Sequence, residues 1–318
     1  MPEFRSQTKN NDMPITKRPR LSCIGAGRTG STLCYLLAQV IDLNQIINQT
    51  MQSAREAVAF IGHGEAVATE LTDYKVLKPS DIWMISCPDD QIQTIGEALF
   101  ASGILNPGNI VFHCSGALST TIWAESVTTE IGIASLHPIH SFSDPSTSVN
   151  CFSGVHCAVE GDILATESLK ALFEPIGAVL FKINKYKKPL YHASNVMACN
   201  YLVSLLELSQ LMLAKAVVDE DETKHLLQPL IRQTLNNYFN LGAEKALTGP
   251  ISRGDTDTVR SHLKALEREL PVWQEAYSSL GKSTLDIAKQ QHTSSKKLDE
   301  IAWLLNQTAF EKDHAPKK

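Results

Sequence analysis

Residues 21–31 read Leu-Ser-Cys-Ile-Gly-Ala-Gly-Arg-Thr-Gly-Ser, and no other stretch constrains the fold as tightly. A short apolar run, a G-x-G-x-x-G fingerprint and a helical apolar pattern (Leu33, Leu36, Leu37, Val40, Ile41) follow one another without a gap. Gly25 permits a tight turn after a strand. Gly27 lets the backbone approach a pyrophosphate with no Cβ in the way. Gly30 lets the helix pack close to the sheet, and the helix N-terminus offers free N–H groups and a positive dipole end to phosphates. The order strand, glycine turn, helix is that of a dinucleotide site. Gly25, Ala26, Gly27, Arg28, Thr29 and Gly30 are its expected contacts.

The 318 residues suffice for two domains. A net charge of −5 gives no basic footprint and argues against nucleic acid as a partner. Seven cysteines are scattered with no C-x-x-C pair, which argues against zinc and for reduced thiols in a cytoplasmic protein. The first 19 residues are polar and basic and lack an apolar h-region. They read as a disordered leader rather than a secretory signal, and Met13 is a candidate start. No stretch is expected to approach the length of a membrane span.

From residue 20 to 184 short apolar runs alternate with helical stretches, the pattern of a parallel sheet with crossover helices. Strands are expected at 20–24, 45–48, 81–87, 109–114, 133–136, 155–159 and 178–181, with helices at 91–101 and 163–173. From 185 to 318 the texture is all-helical. One long apolar helix is expected over 191–218 and further helices over 222–241, 257–269, 272–290 and 295–306. The first is too apolar to stand alone in water, so it must pack on the sheet domain, on another subunit, or on both. The expected fold class is therefore α/β, a parallel dinucleotide-binding sheet followed by an all-helical domain.

Dinucleotide folds often carry an acid about 20 residues past the glycines, on the ribose 2′-hydroxyl. Here Asn48–Ser53 holds none, which favours NADP (NADPH) over NAD, with Arg28 and Arg55 as cations for the extra phosphate. Ser86-Cys87-Pro88-Asp89-Asp90 ends one strand. Pro88 stops the strand beside the cofactor, and an aspartate either caps the next helix or touches the cofactor. Two further strand ends carry His113 with Ser115, and His137 with His140, to the same edge. His137 and Ser115 read as functional there, His113 and His140 as structural. His192, Asn195 and Asn200 interrupt the apolar helix, His192 and Asn200 on the order of 12 Å apart. The asparagines either satisfy backbone or meet a ligand, and the ligand is favoured. In 248–255, two glycines and a proline shape a loop. Its Arg253 suits a carboxylate in two parallel hydrogen bonds, and Asp255 or Thr256 suits the start of the next helix.

GAGRTG, LHPIHSF, YHASNVMACNYLVSLLE and LTGPISRGDTDTVRSHL together resemble the Rossmann-like family whose helical half is a domain of unknown function. That family is related to ketopantoate reductases, pyrroline-5-carboxylate reductases and 6-phosphogluconate-type dehydrogenases. The resemblance implies an NADPH-dependent oxidoreductase of a small-molecule substrate, a 2-keto acid with ketopantoate leading, in pantothenate biosynthesis. A cyclic-imine reductase and a non-catalytic nucleotide-binding regulator are the alternatives. It also implies a homodimer through the helical domain. In ordinary ketopantoate reductases and β-hydroxyacid dehydrogenases a lysine near the start of the long helix is the general acid and asparagines follow it. His192 stands where that lysine would be and Asn200 matches one asparagine. His192 is thus the expected proton donor, His137 the fallback, Asn200 the substrate orienter, and Asn195 and Arg253 substrate-binding residues.

Overall fold

A computed structural model describes residues 18–69, 74, 77–216, 223–291 and 295–307. The expected leader therefore lies, up to residue 17, outside the described residues. The described residues fall into two compact units that divide between Cys199 and Asn200, not at the expected 184/185.

The first unit runs β1 (Arg20–Ile24), α1 (Arg28–Leu37), β2 (Asp42–Asn48), α2 (Met51–Ile61), β3 (Glu65–Ala68), β4 (Ile82–Ile85), α3 (Asp89–Ala101), β5 (Ile110–His113), β6 (Gly132–Pro138), α4 (Pro145–Asn150), β7 (His156–Gly161), α5 (Ile163–Phe173), β8 (Val179–Lys182) and α6 (Lys188–Ala198). The strands form one sheet in the order β3-β2-β1-β4-β5-β6-β7-β8. The expected all-parallel pairing needs one correction, because β7 runs antiparallel to β6. A second correction is β3, an edge strand paired with β2 alone in a segment where none was expected.

Successive strand side chains point to opposite faces, and both faces of this sheet are covered. On one side Leu21, Ile46, Met84, Phe112 and Leu136 pack with Leu33 and Leu37 of α1. On the other Ile24, Ile47, Trp83, Ile85 and Val111 pack with Ile92, Ile95 and Leu99 of α3. All four residues of β4 and of β5 are buried, as two-sided burial of central strands requires. The chain order reverses between β1 and β4, and at such a switch point the strand ends open a crevice for ligands.

The second unit comprises α7 (Asn200–Ala216), α8 (Thr223–Ala246), α9 (Pro250–Arg253), α10 (Thr256–Glu269), α11 (Gln274–Ala288) and α12 (Ser295–Gln307). Its core joins Ile251, Val259, Leu263, Leu285, Ile301 and Leu305. The single helix expected over 191–218 is in fact two, α6 ending at Ala198 with Cys199 as its C-cap (φ −116°, ψ −66°) and α7 beginning at Asn200. Residues 217, 218 and 222, the expected ends of two helices, lie outside the described residues. The expected loop at 248–255 contains the short α9, and Asp255 caps α10 by accepting from Thr258 N–H at 3.1 Å. Contrary to expectation, the segment Lys185–Ala216 is long and apolar enough to cross a membrane, by length and composition alone. No residue of α7 is buried, and Tyr201, Val203, Leu205 and Leu211 stand exposed.

Candidate active site

Two cavities open at the carboxyl edge of the sheet in the first unit. The larger, about 640 Å³, is lined by the glycine loop, by the end of β2 and by Ser86-Cys87-Pro88 after β4. Each glycine of the loop has a separate geometric reason. Gly25 has φ +89°, and a Cβ there would stand 2.5 Å from Cys87 Sγ. A Cβ on Gly30 would stand 2.7 Å from the Gly25 carbonyl oxygen. A Cβ on Gly27 would meet nothing within 4 Å, so that side of the loop is an open cradle. Gly27 is also the N-cap of α1 and supplies no side-chain acceptor, which leaves the first turn of the helix turned to a ligand. These features fit the pyrophosphate of a dinucleotide.

Asn48 ends β2, and its Oδ1 accepts the Ala26 N–H at 2.7 Å. Thr50, the N-cap of α2, and Ser53 line the same cleft. Arg28 and Arg55 are exposed and neither is among the residues lining it, where Thr50 and Ser53 present hydroxyls. Glu56 and Asp144 are the charged residues that do line it. Pro88 lines the cleft as expected, but the capping aspartate needs correcting. Pro88 itself is the N-cap of α3, without a side-chain bond, and Asp89 and Asp90 lie in the first turn. Asp89 Oδ2 instead accepts from Ser115 Oγ at 2.8 Å.

The second cavity, about 300 Å³, is lined by Thr29, Ser86, Cys87, Asp89, Cys114, Ser115, Gly116, His137, Pro138, His140, Phe142 and His192. The structure brings His137, Ser115 and His192 to one recess, of which the sequence reading placed only His137 and Ser115 at a common edge. A Cβ on Gly116 would stand 2.6 Å from His192 Nδ1 and 2.9 Å from His137 Nε2, so two ring nitrogens converge on the space above this glycine. His192 Nδ1 is buried and has no hydrogen-bond partner among the described residues. The Ser115 hydroxyl is committed to a turn, donating to Asp89 and accepting from the Ala117 and Leu118 N–H groups. His113 is fully buried, accepts from Ser115 N–H at 3.2 Å and packs edge-on against Trp123, a structural role.

Beneath this cavity lies the residue that sequence reasoning missed. Lys188, 1% exposed, donates from Nζ to the Ser115 carbonyl oxygen at 2.9 Å and to Ser135 Oγ. Glu160 Oε1 is 3.9 Å away, and that carboxylate also accepts from Thr120 N–H and Oγ1. Burial lowers the Lys188 ammonium to about 8, against the pull of Glu160 and Asp89. Burial, with Lys188 and His192 adding positive charge nearby, lowers His137 to about 4. A lysine therefore does stand at the start of the helix, one turn before His192. Positions 188 and 192 share a helix face, which the expected helix start at 191 concealed.

Asn195 follows on α6, its amide beside the Tyr191 hydroxyl. Asn200 opens α7 and Arg253 closes α9, both exposed on the second unit.

Residues 6–138 match a Rossmann-like domain, and residues 155–284 match the domain of unknown function DUF2520, whose match begins at the β7 region of the sheet. No curated protein matches the chain in sequence at a significant level. A candidate NADP oxidoreductase of Bacteroides fragilis is 21% identical with TM-score 0.69, over 84% of this chain and 98% of its own. A Thermotoga maritima protein is 26% identical with TM-score 0.65, over 85% and 99%. The NADP-bound pyrroline carboxylate reductase of Plasmodium falciparum shares the fold at 13% identity and TM-score 0.54, over 89% and 98%. The chain joins a Rossmann-like domain to the domain of unknown function DUF2520.

Proposed function

We propose that this chain is an NADPH-dependent reductase of a small 2-keto acid, with ketopantoate the first substrate to test. The observation that carries the reading is that the two cavities share Ser86 and Cys87 at the end of β4. A cofactor held in the first and a substrate in the second would be neighbours. The open face of Gly27 and the uncapped turn of α1 would hold the pyrophosphate. Thr50 and Ser53 at the start of α2 would hold the 2′-phosphate with hydroxyl and N–H donors. NADPH, when bound, supplies the hydride.

The chain's own groups supply orientation and a proton. His192 and His137 face the recess above Gly116, where an oxygen that gains charge during reduction would find N–H donors. Buried Lys188 adds positive charge beneath them. The fold shared with NADP-linked proteins from Bacteroides and Plasmodium supports the cofactor assignment.

A second reading is reduction of a cyclic imine. The Asp89 carboxylate lines the recess and would favour a cationic C=N substrate over an anionic one. NADPH oxidation measured against ketopantoate, other 2-keto acids and pyrroline-5-carboxylate separates the readings. Turnover of a keto acid supports the first and turnover of the imine alone supports the second. Tight NADPH binding with no turnover of either class would instead support a regulatory nucleotide-binding protein. Growth of a pantothenate auxotroph expressing the chain tests ketopantoate in the cell.

A further inference from the structure

His137 leaves β6 at the carboxyl edge of the sheet, and Tyr191 stands near the start of α6. Their side chains meet, His137 Nδ1 and the Tyr191 hydroxyl oxygen being 2.7 Å apart. The rings cross edge to face with centroids 5.6 Å apart, and the Phe181 ring also packs on Tyr191, with centroids 6.4 Å apart. The opposite edge of the imidazole carries Nε2, which faces the space above Gly116.

Which nitrogen holds the proton decides what this ring can do. With its pKa lowered to about 4, His137 is neutral at working pH and carries one ring proton. A neutral imidazole that releases its Nε2 proton becomes an imidazolate unless Nδ1 gains a proton in the same event. Tyr191 is the group at Nδ1. Burial raises its phenol, although the Asn195 amide opposes that shift, so the hydroxyl is protonated and able to donate.

We propose that Tyr191 is a positioning residue for His137: its O–H donates to Nδ1, holds the ring as the Nε2–H tautomer, and aims that proton at the recess above Gly116. The inference rests on the reductase reading for its chemistry. As the oxygen of a C=O bond in the recess gains the electron pair of the reduced bond, it takes the Nε2 proton. Nδ1 takes the Tyr191 proton, and the phenolate recovers one from water. The ring ends neutral as the Nδ1–H tautomer, and its Nε2–H form returns by proton exchange with water.

The test is ¹⁵N–¹H correlation of histidine rings in the full chain without cofactor, with His137→Gln assigning the signal by its loss. The expected wild-type spectrum shows His137 with Nε2 protonated and Nδ1 bare. Tyr191→Phe, which keeps the ring packing, should erase that preference. A wild-type Nδ1–H tautomer, or an unchanged spectrum in Tyr191→Phe, would overturn the proposal. With a reduced substrate in hand, Tyr191→Phe should lower kcat by about 10–100-fold with KM within twofold, and an undiminished kcat would contradict the role. If no keto acid or imine is reduced, the reductase reading fails alone, and the tautomer still decides this proposal.

Discussion

The backbone N–H of Ala26 donates to Asn48 Oδ1 at 2.7 Å, tying the glycine loop to the end of β2. An aspartate at this position would keep the acceptor and add a negative charge at the mouth of the cleft. Asn48→Asp should therefore retain the fold and lower the NADPH-to-NADH affinity ratio by tenfold or more, about 1.4 kcal/mol. Titration of cofactor fluorescence reads both constants, and an unchanged ratio would remove Asn48 from the specificity argument.

The glycines of the loop should respond differently to the same change. Gly27 has φ −78° and open space where a Cβ would lie, so Gly27→Ala should melt like wild type yet weaken NADPH binding at least tenfold. Gly25→Ala should lose stability itself, since φ is +89° and Cys87 blocks the space. Thermal melts alongside cofactor titration distinguish the two.

These features were legible because they are local. The strand, the turn and the first helix lie within twenty residues, and Ile163–Phe173 is a helix with the bounds that its pattern suggests. The strand β3 was not legible, because Glu-Ala-Val-Ala is short and poor in strand-favouring side chains. Lys188 was hidden in Lys185-Tyr186-Lys187-Lys188, a run that reads as a solvated face, although only its last lysine is buried. What selects it is non-local: the Ser115 carbonyl and Ser135 reach it across 73 and 53 residues of sequence. The Tyr191 partner of His137 is likewise 54 residues away.

The buried Lys188–Glu160 pair gives a stability prediction. Lys188→Met leaves Glu160 without its charge partner and should destabilise the chain by about 3–5 kcal/mol, with Lys188→Met/Glu160→Gln recovering part of the loss. Urea denaturation of the four proteins in that cycle measures the coupling. Purely additive single losses would show that the two charges act independently.

The lowered pKa of His137 sets a pH dependence. The unfolded ring takes up a proton near 6.5 and the folded ring only near 4, so the unfolded state binds more protons in between. Stability from this group is complete above about pH 6.5 and is lost as pH falls toward 4. His137→Gln should flatten that part of the stability profile, and a parallel profile would refute the assignment.

The exposed apolar side chains of α7, with Leu230, Tyr238 and Phe239 of α8, lead us to propose a second copy of the chain as their cover. Light scattering should give twice the 35.0 kDa chain mass at micromolar concentration. A stable monomer would contradict it.

The most direct measurement of the reductase account is steady-state NADPH oxidation by His192→Ala beside wild type, with cofactor affinity determined separately. If His192 Nδ1 hydrogen-bonds the reducible bond while His137 Nε2 gives the proton, the variant should lose about 10²–10³-fold in kcat while binding NADPH as wild type does. Full turnover in His192→Ala, or a wild-type chain that fails to bind NADPH, would contradict the account.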